Sequence, residues 1–148
     1  MTILTIRQDG DPVLRQVAES CYTADPRIRQ LAADMIETLH AARGIGLAAP
    51  QVGQSVRLIV LTYGKRGSNL ALVNPKIVKS KGSRLSLEAC LSVAEGNKTC
   101  RIQRAETVWV EYDCMATDDR LTLKLRGIMA VAAQHEIDHL DGKLITDY

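Results

Sequence analysis

The sequence predicts an α+β fold, with antiparallel strands around a central C-terminal helix that carries a His-Glu-x-x-His motif. Three observations favour it: a helical hydrophobic pattern near the start, several short strand patterns in the middle, and a second helical pattern at the end. The 148 residues are 46% hydrophobic, enough for one core. No repeat or change of composition divides the chain, so we expect residues 1–148 to form a single domain.

The first helix is predicted from Pro26 to about Ala42. Asp25 is a residue type that caps helix N-termini, and proline suits the first helical position. Apolar residues then recur at helical spacing: Ile28, Leu31, Ala32, Met35, Ile36 and Leu39. We expect Gly44 to end the helix, because glycine readily adopts the backbone conformations found at helix ends.

The middle of the chain contains the strand patterns. Residues 56–61 are apolar and rich in β-branched types, which predicts a buried strand. Residues 70–73 and 77–79 predict two further short strands on either side of a proline. Apolar and polar residues alternate in 107–113 and again in 121–125, after an Asp-Asp turn. We therefore expect these last two segments to pair as a hairpin.

The closing helix is predicted from about Gly127 to Leu140, with Gly142 placed to cap its C-terminus. His135 and His139 stand four residues apart, so both imidazoles lie on one face of this helix, and Glu136 lies at their flank. Apolar residues of the same face precede them: Ile128, Val131 and Ala132. The histidines therefore continue a stripe that we expect to be buried.

Two such histidines can share a metal ion, and a carboxylate beside the metal is the minimal equipment for hydrolysing an amide. The alternative is a chance match, with both histidines solvated or hydrogen-bonded. A catalytic metal normally has three protein ligands. After Gly142 the sequence offers no histidine or glutamate and only one acid, Asp147. An ordinary metalloprotease is therefore disfavoured, and we expect the third ligand upstream.

Two upstream segments accompany the histidine helix. Residues 44–53 are Gly-Ile-Gly-Leu-Ala-Ala-Pro-Gln-Val-Gly, and residues 88–92 are Glu-Ala-Cys-Leu-Ser. Taken singly each is weak, since a Gly-x-Gly can be a flexible turn and a lone cysteine is usually a small buried residue. Together with Gln-His-Glu-Ile-Asp-His-Leu-Asp-Gly at 134–142, their order and spacing closely resemble the peptide deformylase family over nearly the whole chain.

The resemblance implies that residues 1–148 form one deformylase-like catalytic domain. It implies that three positions are the metal ligands: Cys90, His135 and His139. Glu136 corresponds to the general base and acid, and Asp138 on the other flank is either a supporting partner of the site or part of a surface ion pair. Gln51 and the backbone N–H of Leu91 correspond to the donors that stabilise the tetrahedral oxyanion.

The implied reaction is removal of the formyl group from the N-terminal formyl-methionine of nascent polypeptides, with release of formate. The apolar parts of Cys90 and Leu91 are expected to line the methionine pocket, together with other substrate-binding residues: Ile45, Gly46, Ala89, Ile128 and Val131. The family implies Fe²⁺, with Zn²⁺, Ni²⁺ or Co²⁺ also able to bind, because thiolate and imidazole suit several metals. A monomer with transient ribosome contact is expected.

The sequence departs from the family at a few positions. Ala89 replaces the glycine that usually precedes the cysteine, which matters if the backbone there needs a positive φ or approaches the substrate closely, where a methyl group would narrow the peptide groove. Residues 93–95 lack the usual proline, and Arg101 is the candidate for the basic residue that contacts the peptide backbone. The chain resembles a short form without the C-terminal extension. These departures motivate an alternative, a non-catalytic relative that binds metal or formyl-peptide with little turnover.

Composition excludes several other classes. The formal net charge is only +2 and aromatic residues are scarce, so we expect no direct nucleic-acid function. No apolar run approaches a membrane span, and the N-terminus has no pattern of a secretory signal, which favours the cytoplasm. The cysteines form no Cys-x-x-Cys pair, and most are expected to be free thiols: Cys21, Cys90, Cys100 and Cys114.

Overall fold

The computed structural model describes residues 2–63 and 67–148. Within these residues the chain forms two α-helices and seven β-strands. The helices are α1 (Pro26–Ala42) and α2 (Ile128–Leu140). The strands are β1 (Gly46–Ala48), β2 (Leu58–Tyr63), β3 (Ser68–Lys81), β4 (Arg84–Ala89), β5 (Thr99–Arg104), β6 (Thr107–Asp113) and β7 (Arg120–Arg126).

The strands form two antiparallel sheets. The larger has the order β1-β2-β3-β6-β7, and the smaller consists of β4 and β5. Every pairing between these strands is antiparallel. The prediction of an α+β fold with antiparallel strands around the C-terminal helix is therefore confirmed, as is the β6-β7 hairpin.

The larger sheet lies between the two helices. Alternate residues of β2 point in opposite directions, so Ile59 and Leu61 pack in a cluster with α2, whereas Leu58 and Val60 pack in a second cluster with α1. Because β2 is covered on both faces, its sequence is a continuous apolar run rather than an alternating one. This arrangement fixes α2 firmly against the sheet.

The first helix has the predicted bounds, and the Asp25 side chain accepts a hydrogen bond from the Arg27 N–H at its start. Its end differs from the prediction. Arg43, not Gly44, adopts the left-handed conformation, with φ 55°, and the Gly44 N–H donates to the Leu39 carbonyl at 3.1 Å. The glycine therefore follows the turn instead of making it.

The two short strands predicted around Asn74 are one long strand, β3, with irregular pairing on either side of Ile77. Asn74 has φ 49°, and its side-chain amide donates to the carbonyl of Cys21 at 2.8 Å and to Asp113 at 2.7 Å. These bonds hold the strand together across a residue that sequence patterns treat as a break.

The closing helix matches the prediction, and Gly142 beyond its end has φ 75°. The buried stripe is shorter than predicted, because Ile128 is 61% exposed and burial begins at Ala130 and Val131. No helix of the described segments is long and apolar enough to span a membrane. All four cysteines are free.

Candidate metal centre and active site

Three buried donor side chains meet beside α2. Cys90 follows β4 directly, and its Sγ lies 3.3 Å from Nε2 of His139. One potential ligand atom from each of Cys90, His135 and His139 lies within 4.8 Å of the others. Ligands bound tetrahedrally at about 2.0–2.3 Å from one ion are about 3.5 Å apart, so small side-chain adjustments suffice to bind one. The donor set therefore fits a single divalent ion.

Glu88 orients one of these histidines. Its Oε1 accepts a hydrogen bond from Nδ1–H of His135 at 2.9 Å, which leaves Nε2 as the ligand nitrogen. Arg104 donates to both Glu88 oxygens, at 2.8 and 2.9 Å. Burial alone would raise the pKa of Glu88, but hydrogen bonds from His135 and Arg104 outweigh burial and lower it to about 2.

This role of Glu88 was not predicted from the sequence. A signal was present, because Glu88 stands two residues before Cys90, and alternate residues of an extended chain face the same side. Asp138 accepts hydrogen bonds from the buried Arg104 at 2.7 Å and from the Tyr148 hydroxyl at 2.6 Å. Asp138 thus supports the site through Arg104 and Glu88.

Burial and charge affect the two histidines differently. Burial, followed by repulsion from His135, keeps the pKa of His139 well below its usual value. For His135, burial opposes protonation, but the groups around it outweigh burial and raise its pKa to about 10. Those groups are Cys90, Glu136 and Glu88. These surroundings favour positive charge, which a cation among the donors would supply.

Glu136 lies beside the donor atoms and is buried. Burial raises its pKa to about 7, near the value that suits a group exchanging protons at neutral pH. Its Oε2 has no hydrogen-bond partner within the described part of the chain. A buried, unpaired carboxylate oxygen next to a metal site is available to a reactant such as water.

Gly46 makes room for this carboxylate. A Cβ at this position would lie 2.7 Å from Oε1 and 2.8 Å from Cγ of Glu136, closer than real contacts allow. The glycine is therefore needed for the close approach of β1 to α2.

We expect Gly46→Ala to displace the Glu136 carboxylate and to lower kcat by about 10²-fold, since misplacement by about 1 Å can cost this much. Steady-state release of formate, the product that the family resemblance implies, measures the effect. Gly44→Ala is the control, because its Cβ would meet the flexible ends of leucine side chains. Equal losses in both variants would contradict the role of Gly46.

Gln51 lies on the other side of the donors, in a 3₁₀ helix that follows β1. Its Oε1 accepts the Ala48 N–H at 2.9 Å, which points Nε2 toward Ser92 Oγ at 3.2 Å and Cys90 Sγ at 3.7 Å. The Leu91 carbonyl accepts a hydrogen bond from Gln8 at 2.9 Å. Among the described residues, the Leu91 N–H donates to no backbone carbonyl.

An apolar cleft of about 320 Å³ opens above these groups. All the predicted substrate-binding residues line it: Ile45, Gly46, Ala89, Ile128 and Val131. Cys90, Leu91 and Gln51 line it as well. Arg101 is not among the lining residues; it lies exposed on β5 opposite Leu87.

Ala89 has an ordinary extended backbone, since it lies in β4 and is not among the residues with positive φ. Its methyl group is exposed at the cleft and replaces a glycine without conformational strain. Backbone strain at Ala89 therefore gives no reason for a non-catalytic alternative, and nothing in the described site supports that alternative.

Comparisons with known proteins agree with this geometry. The family model of polypeptide deformylases matches residues 3–148. The peptide deformylase of Acetivibrio thermocellus is 41% identical over 147 residues, which cover 99% of this chain and 84% of that protein. That of Dictyoglomus thermophilum is 40% identical over 146 residues, covering 98% and 92%.

Solved structures give the same result. A class I type b peptide deformylase from Acinetobacter baumannii has a TM-score of 0.93 and 30% identity, with 100% of both chains covered. The Thermotoga maritima peptide deformylase has a TM-score of 0.91 and 35% identity, covering 99% of this chain and 97% of that one. Another structure of the A. baumannii protein, with a TM-score of 0.89 and 29% identity, has Met-Ala-Ser bound and covers 99% of this chain and 98% of that one. The chain belongs to the peptide deformylase family.

Proposed function

We propose that this chain removes the formyl group from N-formyl-methionyl peptides by using Glu136 beside a divalent metal held by Cys90, His135 and His139. As a peptide deformylase it is a metal-dependent hydrolase that releases formate. The observation that carries the residue assignment is the convergence of the three donors beside an unpaired carboxylate, with Cys90, His135 and Glu136 lining a single cleft.

Fe²⁺ is the metal we propose, with Zn²⁺, Ni²⁺ and Co²⁺ as substitutes. Thiolate and imidazole ligands are compatible with all four ions. When bound, the ion supplies a Lewis acid that polarises the formyl carbonyl and lowers the pKa of the attacking water. Glu88 fixes the orientation of His135, and it does so with a carboxylate that Arg104 holds in its charged form.

Glu136 carries the proton transfers in this proposal. Its carboxylate accepts a proton from the attacking water as the water oxygen bonds to the formyl carbon. The same group then gives that proton to the amine nitrogen as the carbon–nitrogen bond breaks. The products are formate and a peptide with a free amino terminus. A pKa near neutrality suits a group that must both accept and release a proton.

Gln51 and Leu91 stabilise the negative charge that develops on the formyl oxygen. The Gln51 amide is oriented by the hydrogen bond that it accepts from Ala48, and Leu91 lies on the wall of the cleft. Donors held in place before the reaction need no reorganisation during it, which makes them effective.

We expect Gln51→Ala to lower kcat by about 10²–10³-fold with little change in KM, because the lost donor acts mainly in the transition state. Formate release at saturating substrate measures it, and metal content measured on the same sample shows whether the centre is intact. A variant that keeps wild-type kcat with a full metal load would rule out Gln51 as an oxyanion donor.

The cleft lies between two strand edges. On one side is β1, the edge strand of the larger sheet, with Ile45 before it and Gly46 as its first residue; on the other is β4, with Ala89 at its end. An extended peptide between them can hydrogen-bond to the backbone of both. Its methionine side chain would then face the apolar wall formed by Ile128 and Val131. The A. baumannii relative was solved with Met-Ala-Ser bound, which supports a methionyl peptide as the ligand.

We further propose that residues 1–148 act as one catalytic domain, as a monomer in the cytoplasm with transient ribosome contact. The substrate supports the cytoplasmic location and the ribosome contact, because formyl-methionine is the first residue of a nascent chain. Sedimentation of the purified protein tests the monomer, and co-sedimentation with ribosomes tests the contact.

The central experiment is formate release from formyl-Met-Ala-Ser by protein reloaded with Fe²⁺ under anaerobic conditions. We expect turnover with the wild-type chain and release near background with Glu136→Ala. Acetyl-Met-Ala-Ser is the matched substrate control, with the newly freed amino terminus as the readout for both peptides, because hydrolysis of its bulkier acyl group would release acetate and not formate. Absence of formate above the Glu136→Ala background would reject the proposed activity.

A further inference from the structure

A second surface lies on the outer face of the larger sheet, far from the donors. Five residues form it, and we call it the basic face: Lys79, Lys81, Trp109, Lys124 and Arg126. They come from three adjacent strands. In one row Lys79 and Lys124 flank Trp109, and in the next Lys81 and Arg126 flank Thr107. The pairing register therefore brings four cations together on one face of the sheet.

The positive charge of the basic face is not neutralised locally. Its four cations are exposed, and no carboxylate of the described segments forms a salt bridge with them. Glu106 at the margin of the face is paired with Arg84 at 3.6 Å. Further along the same sheet, by contrast, Arg120 is paired with Glu111 and Asp113. A chain with a net charge of only +2 thus concentrates positive charge in one place.

Trp109 restricts what this surface can bind. The Lys79 ammonium lies 4.5 Å and the Lys124 ammonium 5.0 Å from its ring centroid. Cations over the ring hold it in place and block stacking against a nucleic-acid base. The rows of the basic face also present no exposed aliphatic side chain that could insert into a lipid bilayer. A row of backbone phosphates carries the opposite charge and requires neither a free aromatic ring nor an inserted aliphatic side chain.

We propose that the basic face binds the phosphate backbone of a double-stranded nucleic acid without reading its sequence. Residues two apart on a strand are about 6.6–6.8 Å apart, and residues two strands apart are about 9.5 Å apart. Four cations at such spacings can contact several successive phosphates. Contacts of this kind give affinity and position but no base recognition.

The basic face and the active-site cleft lie on opposite sides of the sheet. Val108, Val110 and Leu125 alternate with the residues of the basic face and point inward, where they pack in one cluster with α2. A bound duplex would therefore leave the cleft open to a peptide. The expectation of no nucleic-acid function rests on the net charge and the scarcity of aromatic residues, and neither quantity describes how folding distributes the cations.

Binding of a fluorescent 20-base-pair RNA duplex, followed by anisotropy at low salt, tests the proposal. We expect Lys79→Glu and Lys124→Glu each to weaken binding by about tenfold or more, and the double variant to abolish it. Lys143→Glu, an exposed reversal with the same charge change, should alter the affinity less than about twofold. Lys79→Gln and Lys124→Gln, which add no negative charge, should give smaller losses in the same direction.

Two further readouts localise the contact. Trp109 is the single tryptophan of the chain, so duplex binding should change the intrinsic fluorescence. The slope of log affinity against log salt should be about −3.6 for four phosphate contacts and should fall in magnitude by about 1 with each lysine removed.

The proposal is overturned by absence of duplex binding, by equal effects of Lys124→Glu and Lys143→Glu, or by binding to anionic phospholipid vesicles without binding to duplex. Neither the metal nor formate release enters these measurements, so their outcome is independent of the proposed enzymatic function. Formate release by the Lys79→Glu and Lys124→Glu variants should equal that of the wild-type chain.

Discussion

Replacing Glu136 by glutamine is expected to lower kcat for formate release by about 10²–10⁴-fold, the contribution usual for a positioned general acid and base. Glutamine has nearly the same shape and should pack against Gly46 as glutamate does. It can neither take a proton from water nor give one to the departing amine. The metal load should therefore remain at the wild-type level while turnover is lost.

Metal analysis and formate release on the same preparation test this prediction. Glu106→Gln is the matched control, because Glu106 is exposed and lies away from the cleft; it should keep wild-type turnover. If Glu136→Gln retains turnover within a fewfold of wild type with its metal bound, the general base must be another group.

Replacing Cys90 by alanine is expected to have the largest effect on the metal centre itself. Removing one of three protein ligands should lower metal affinity by more than the roughly 10–100-fold that loss of a supporting residue typically costs. Activity should then fall with the metal content. The variant should remain folded, because Cys90 is small and its cluster keeps Val93, Ile102 and Ile145.

Equilibrium dialysis against Fe²⁺ or Co²⁺ measures this loss directly. Cys100→Ala is the control, since Cys100 packs against the same cluster but offers no atom to the donor set. It should bind about as much metal as the wild-type chain. An unchanged metal load in Cys90→Ala would remove this cysteine from the ligand set.

The structural features that could be predicted from the sequence are those in which apolar residues recur at regular spacing within one segment. The helix from Pro26 to Ala42 and the hairpin of β6 and β7 have clear patterns because each buries one face against the core. The histidine motif was equally readable, since two ligands four residues apart on a helix are a local arrangement. Cys90 required the family resemblance, because nothing in the spacing connects it to α2.

The strand β4 was missed because its polarity is inverted. Leu85 and Leu87 are 59% and 68% exposed, whereas Ser86 and Glu88 between them are buried. Strand prediction from sequence takes the apolar residues to be the buried ones. In β4 the apolar residues are exposed, so the sequence does not show which face is buried. Its buried polar face serves the active site instead, where Glu88 contacts His135.

The ion pair between Glu88 and Arg104 could not be predicted from the sequence either. An arginine that is only 4% exposed in its side chain has no signature that separates it from a surface arginine. Its position depends on how β4 and β5 pair and on how that small sheet packs against α2. Such contacts between distant segments arise only in the folded chain.

The most direct test of the account is an anaerobic titration of metal-free protein with Fe²⁺, with formate release from formyl-Met-Ala-Ser measured at each step. We expect activity to rise in proportion to added metal, to reach its maximum at one ion per chain, and not to rise in Cys90→Ala. Full activity in the metal-free chain, or an identical titration curve for Cys90→Ala, would contradict it.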